Sequence, residues 1–195
     1  MNGIGPVVPF RIDLSTLVRR SVASLYSHLV TRPTGQALRL GIESQICELR
    51  TPCVSVLDFS QVAVLDYSCA DETVAKLILR FRKEDRPADA FFLARGVSEH
   101  HRDTLEAVLD RHGLLLVAEV EGEGRTLLGP VGDLERAAWE ALEHRGSAAA
   151  AHLADDLTAP EPAISEALAS LADHRVVLRR GSPETYYALT PLLAG

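Results

Sequence analysis

Apolar residues near the start of the chain recur at helical spacing. Leu14, Val18, Val22, Leu25 and Leu29 follow steps of four and three, with Arg19, Arg20, Ser24 and Ser27 on the opposite face. That is the stripe of an amphipathic helix, capped by Asp13 or Ser15. Arg32-Pro33-Thr34-Gly35 reads as its stop. Leu38, Ile42, Ile46 and Leu49 form a second stripe that ends near Thr51-Pro52.

The period then changes. Cys53 to Leu57 is a short apolar run closed by Asp58-Phe59-Ser60, and Val62 to Leu65 is another, closed by Asp66-Tyr67-Ser68. Short runs without polar alternation suit strands buried on both faces of a mostly parallel sheet. A helix follows with Ala70, Val74, Leu77, Ile78 and Phe81 on one face. Ser68 reads as its N-cap, and Asp71 suits both the capping-box position and the positive helix end. Ala90 to Ala94 is the next strand. Ser98 caps a helix carrying Leu105, Val108 and Leu109, which Gly113 ends. Leu114 to Val120 is a further strand, Gly122 to Gly124 a turn, and Thr126 to Leu128 an edge strand. Strands and helices alternating over short connections predict a layered α/β domain.

Gly129-Pro130-Val131-Gly132 is the best boundary, giving domains over 1–130 and 133–195. Beyond it, Leu134, Ala138, Ala141 and Leu142 mark a helix ended by Gly146. Ser147 reads as the cap of a short second helix through Leu153 to Leu157. Thr158 with Glu161 reads as the capping box of a third helix that holds Ile164, Leu168 and Leu171 inside. Val176 to Leu178, a turn over Arg179 to Glu184, and Thr185 to Leu189 read as a hairpin.

Composition narrows the function more than the fold. With 47% hydrophobic and 24% charged residues the chain reads as soluble and globular. The net charge of −7 disfavours non-specific binding to nucleic acid and anionic membranes. No apolar run reaches the ~20 residues of a membrane span. The first residues, MNGIGPVVPFRID, lack the basic start and apolar core of a secretory signal. Cys47, Cys53 and Cys69 have no framework spacing and read as buried reduced thiols. A cytoplasmic protein is expected.

Catalytic chemistry has little to stand on. His100 and His101 are adjacent and point about 100° apart on a helix, with no ligand at metal spacing. His101 and His112 read instead as border residues of the stripe of Leu105, Val108 and Leu109. Gly122-Glu123-Gly124 opens no helix and carries an acid, so it is no phosphate loop. The expectation is a protein that is not an enzyme, with no metal and no cofactor.

Residues 54–79, VSVLDFSQVAVLDYSCADETVAKLIL, resemble the heart of STAS domains and their relatives. There an apolar strand ends in an Asp, a second short apolar stretch reaches an Asp-Ser-type turn, and a helix starts. Asp58 and Asp66 fall on the two acidic positions. The resemblance covers about residues 53–120, and the residues ahead of it read as a helical N-terminal elaboration. It implies a mostly parallel sheet packed with helices, and a docking role. In the anti-sigma-factor antagonists a kinase phosphorylates the Ser directly after the second Asp. Here Tyr67 stands at that position, with Ser68 one place later. Ser68 is then a structural cap, and Tyr67 a sheet-edge packing residue or part of a docking surface.

Residues 133–190 resemble winged-helix domains, with three helices and then LADHRVVLRRGSPETYYALT, in which an arginine-bearing strand turns back into a tyrosine-bearing one. In that family the third helix enters the major groove and the wing touches phosphates. Carried across, the third helix runs from Pro160 to His174 and the wing turn lies near Arg179 to Pro183. Ser165, Arg175, Arg179 and Arg180 become the expected contacts to DNA or a partner. Residues 133–195 hold ten acids against five arginines, a charge of −5, and Glu161, Glu166 and Asp173 on the third helix would confront phosphates. Phosphate neutralisation supplies much of DNA affinity, so ordinary DNA reading is disfavoured.

The two resemblances together imply a regulator in signalling or transcriptional control. Its first domain would dock a partner protein, such as an anti-sigma-type kinase, through Asp58, Asp66, Tyr67 and Ser68. The alternative is an adaptor that never touches DNA, with the winged helix as protein interface. A homodimer is expected in either case.

Overall fold

The structure, a computed structural model, describes the backbone of residues 8–13 and all of residues 28–193. The helix expected over Leu14 to Leu29 lies outside the described residues up to residue 27, and its last residue, Leu29, is a strand residue instead, paired with Leu65. The chain divides into two compact units, Met1–Pro130 and Val131–Gly195.

The first unit is α/β and rich in parallel pairing. Its main sheet has the order β1-β3-β5-β6-β7, from Val8–Asp13 (β1), Cys53–Asp58 (β3), Ala90–Val97 (β5), Leu116–Val120 (β6) and Gly124–Leu128 (β7). The first four run parallel and β7 returns antiparallel to β6. Strand β1 corrects the expectation of a purely helical start. Pro9 lies within it, which an end strand of the sheet tolerates because its N–H is not needed for a second neighbour. The run of Val62 to Leu65 yields only Val64–Leu65 (β4), which pairs outside the main sheet with His28–Leu29 (β2).

Three helices share one core with one set of strand side chains. They are α1 (Arg32–Leu49), α2 over residues 67–82, and α3 (Glu99–His112). Leu38, Ile42 and Ile46 of α1, Val74, Leu77 and Phe81 of α2, and Leu105, Val108 and Leu109 of α3 meet Cys53, Leu57, Phe92 and Leu116 of the sheet. The alternate strand residues Val54, Val56, Phe91, Leu93, Val117 and Leu127 are buried too. The strands are therefore apolar on both faces, the reason their sequence shows no alternation.

Helix boundaries correct two readings. Arg32-Pro33-Thr34-Gly35 opens α1 instead of stopping a helix: Thr31 accepts the N–H of Thr34, and Pro33 lies in the first turn, where a missing N–H costs no helical bond. Asp66, not Ser68, caps α2. Ser98 caps the start of α3 and Gly113 its end, as the sequence implies.

The second unit places α4 (Asp133–Arg145), α5 (Ala150–Leu157) and α6 (Glu161–Asp173) with a three-stranded antiparallel sheet of order β8-β10-β9. The strands are Ser147–Ala148 (β8), Val177–Arg180 (β9) and Thr185–Ala188 (β10). Trp139, Leu142, Leu153, Ile164, Leu168, Leu171, Val177 and Tyr186 are all buried. Ser147 caps nothing; it pairs with Tyr187 as a strand residue, which only the distant β10 could reveal. Thr158 closes α5 in the left-handed conformation with φ 51°, and α6 starts after Pro160. Arg179 and Arg180 belong to strand β9 and not to the turn.

Candidate functional site

Of the four expected docking residues, Asp66, Tyr67 and Ser68 stay together and Asp58 turns inward. Asp58 ends β3 only 3% exposed, and its Oδ1 accepts the N–H of Ser60 at 3.0 Å as well as the Ser60 hydroxyl. Phe59 donates its N–H to Arg95 O at 2.8 Å. Gly96, with φ +63°, lets that loop lie close, since a Cβ there would fall 2.8 Å from the Ser60 nitrogen. Asp58 therefore shapes its own loop and presents no carboxylate to a partner.

Asp66 uses the same local chemistry at the surface. It is exposed, and its Oδ2 accepts the Ser68 N–H at 3.1 Å and the Ser68 hydroxyl at 2.7 Å. Those bonds hold its carboxyl below the usual range. Tyr67 is half-buried, and its phenol oxygen accepts from Arg111 Nη1 at 3.3 Å. Asp66 also donates its N–H to Leu29 O at 2.8 Å, which ties the turn to β2. Ser68 is thus occupied as the donor to the cap.

One turn further along α2 lies a group that sequence reading missed. Residues Asp71–Ala75 form a π-helical turn, and Asp71 and Glu72 are each 5% exposed. Such turns are rare and recur at functional sites. Asp71 Oδ1 meets His112 Nε2 at 2.7 Å, and its Oδ2 accepts from Arg32 Nη1 at 3.2 Å. Glu72 Oε1 accepts from Arg32 Nη1 at 2.7 Å and from Lys76 Nζ, while Arg39 Nε lies 4.0 Å from Oε2. Burial alone would push both carboxyls up. The bonds from His112 and Arg32 to Asp71, and from Lys76 and Arg32 to Glu72, outweigh it and hold both below the ordinary range. Both are carboxylates at neutral pH.

Helix α1 comes unusually close here. Gly35 is buried in its first turn, and a Cβ on it would fall 2.7 Å from Cys69 O and 2.8 Å from Glu72 Cβ. Thr73 donates its hydroxyl to Gly35 O at 3.3 Å. Burial raises the Cys69 thiol to about 11, so it remains protonated; Cys53 is buried as well, whereas Cys47, expected to be buried, is exposed on α1. The acids thus join three helices: Arg32 comes from α1, Lys76 from α2 and His112 from α3. One sequence signal pointed this way. Asp71 precedes Val74, Ala75 and Ile78 by three, four and seven positions, on the edge of the apolar stripe.

The histidines of α3 are more than border residues. His101 is 4% exposed, its Nδ1 accepts the Ser98 N–H at 3.4 Å, and its ring lies 6.0 Å from that of Phe59. Burial lowers its basicity. His112 is bound to Asp71, as above.

In the second unit, α6 presents Glu161, Ser165, Glu166 and Asp173 outward and buries Ile164, Leu168 and Leu171. Ser165 is exposed beside a carboxylate. Arg175 follows α6 with φ 61°, half-buried. Arg179 is exposed, 3.8 Å from Glu184, and Arg180 is half-buried. Tyr186 donates its phenol proton to Glu184 at 3.0 Å, and burial followed by that carboxylate raises its pKa. Glu184 thus draws the tip of the hairpin toward both Arg179 and Tyr186.

Among the described residues, no group of three or more His, Cys, Asp or Glu is arranged to hold a metal ion. No described helix is long and apolar enough to cross a membrane. Neither the protein-family models nor the curated proteins give a match to this sequence.

Proposed function

We propose that the protein is a regulator in signalling or transcriptional control. A STAS-like unit docks a partner protein through the turn of Asp66, Tyr67 and Ser68, and a winged-helix unit passes the docked state on. One observation carries the docking half. At the end of β4, an exposed Asp66 caps a helix with a half-buried Tyr67 beside it, at the position where the STAS family meets its partners. The sequential parallel order of β1, β3, β5 and β6, with helices between, supports the STAS-like reading. The order β8-β10-β9 around three helices supports the winged-helix reading.

A second reading has its own observation. The outward face of α6 carries Glu161, Glu166 and Asp173, which would meet phosphates with like charge. On that reading the second unit contacts protein, as an adaptor or dimer interface, and never reads DNA. In the first reading Arg175, Arg179 and Arg180 anchor it to the duplex backbone.

Two measurements on the full chain decide. A photoreactive residue at Tyr67, activated in cells, is expected to give one discrete protein adduct; a smear or no adduct refutes docking at this turn. Fluorescence anisotropy with duplex DNA at low salt separates the readings of the second unit. Binding abolished by Arg179→Glu with Arg180→Glu sinks the adaptor reading, and absence of binding at any salt sinks the DNA reading.

A further inference from the structure

The group around Asp71 and Glu72 extends beyond its stabilising contacts. Its cations lie outermost. The Arg32 side chain is 51% exposed and that of Lys76 41%, above carboxylates that are 7% and 6% exposed. Arg111 is exposed, its guanidinium holds the phenol of Tyr67, and the next residue, His112, bonds Asp71. Two guanidiniums and one ammonium thus converge from three helices. Their donors are largely unspent: Arg32 meets both acids through Nη1 alone, and Arg111 meets Tyr67 through Nη1 alone. Each guanidinium carries five N–H donors in a planar fork suited to an oxyanion.

We propose that Arg32, Lys76 and Arg111, grouped around Tyr67, form a surface that docks a carboxylate-rich segment of a protein partner.

This rests on the docking reading of the Asp66–Ser68 turn and adds the chemistry of the partner. The buried acids fix Arg32 and Lys76 in position and the Tyr67 phenol holds Arg111, so little side-chain entropy is lost when a ligand arrives. A carboxylate that meets the open donors of Arg32 and Arg111 gains charge-assisted hydrogen bonds to both. Tyr and Arg are both enriched among the few residues that carry most of the binding energy at protein interfaces. The same end of the unit exposes Val64 at 42% and Val30 at 45%, next to the residues of the β2–β4 pair. An aliphatic side chain within the acidic segment would find its contact there. Nucleic acid fits less well, because a duplex is held through many phosphates along its length and three cations make a small footprint for it.

The probe is a fluorescein-labelled oligoglutamate peptide containing one leucine, titrated into the full chain and followed by anisotropy. Saturable binding that weakens with added salt is expected. Arg111→Glu is expected to weaken it at least about tenfold. Arg111 bonds neither Asp71 nor Glu72, so its thermal transition should match that of the parent; Lys76→Gln provides a second reading if it does not. Equal peptide affinity in the parent and in both variants overturns the proposal. So does tighter binding of duplex DNA or inorganic phosphate than of the peptide. A discrete adduct at Tyr67 without peptide binding refutes the acidic-partner inference and leaves docking standing. Loss of both refutes both.

Discussion

Gly35→Ala reverses a familiar rule. In an ordinary helix, Ala is more stable than Gly by about 0.8–1.0 kcal/mol, so the substitution should help. At position 35 the added methyl would lie 2.7 Å from Cys69 O and 2.8 Å from Glu72 Cβ. Cys69 O is backbone in α2 and cannot rotate away, and Glu72 is held by Arg32 and Lys76. Helix α1 must therefore back off by several tenths of an ångström, which also lengthens the Arg32 contacts to Asp71 and Glu72. Overpacking of this kind costs about 1–3 kcal/mol, and a backbone oxygen at 2.7 Å that cannot rotate away puts Gly35→Ala in the upper half of that range, about 2–3 kcal/mol. After the propensity gain is subtracted, a net loss of about 1–2 kcal/mol remains. For a unit of this size that lowers the midpoint of thermal unfolding by roughly 3–8 °C. Calorimetry and urea titration of the full chain, monitored by far-UV dichroism, measure it directly. An unchanged or raised midpoint in Gly35→Ala would refute the close approach of the two helices, and with it the fixed placement of Arg32.

Three further outcomes follow from the same geometry. His101 is held neutral by burial, so its folded pKa lies below the ordinary ~6.5. Its contribution is therefore present above that value and lost as pH falls. The stability advantage of the parent over His101→Gln should shrink between about pH 7 and about pH 5, and an advantage that grows on acidification would contradict the buried neutral ring. Asp66→Ala removes the cap of α2 and should cost about 1 kcal/mol in urea titrations, whereas Ser68→Ala keeps the carboxylate and the backbone bond and should cost less. Thr158 is β-branched in the left-handed region, where an L-residue pays roughly 1–2 kcal/mol, so Thr158→Gly should raise the midpoint of the second unit; a lower midpoint would show that φ 51° is not strained there.

Much of the local structure was legible in the residues. Period and capping located α3 between Ser98 and Gly113, because both caps act through bonds to their own helix. The unbroken apolar runs at Cys53–Leu57 and Ala90–Ala94 implied strands buried on both faces, since a strand with one wet face must alternate. The α/β alternation of the first unit followed from the same periods.

Where the signal depended on a distant segment, sequence reading went astray. Ser147 looks like a cap until β10 arrives to pair with it. Thr158 with Glu161 has the spacing of a capping box, yet the chain spends Thr158 closing the helix before. Pro33 looks like a stop because proline ends helices from within; only the orientation of Thr31 shows that it starts one.

The candidate site divides in the same way. The residues alone determined that a polar turn at Asp66-Tyr67-Ser68 opens a helix after a short apolar stretch, since that requires only neighbours in the chain. Tertiary structure alone decided that Asp58 faces inward, that Tyr67 meets Arg111, and that Asp71 and Glu72 are buried beneath cations from three helices. Arg32, Arg111 and His112 stand about forty residues from the side chains they meet. Helical periodicity reports which face of a helix is apolar, but not which charges neighbouring helices bring to its edge. A buried carboxylate is stable only when such charges arrive, so its placement belongs to the packing and not to the pattern.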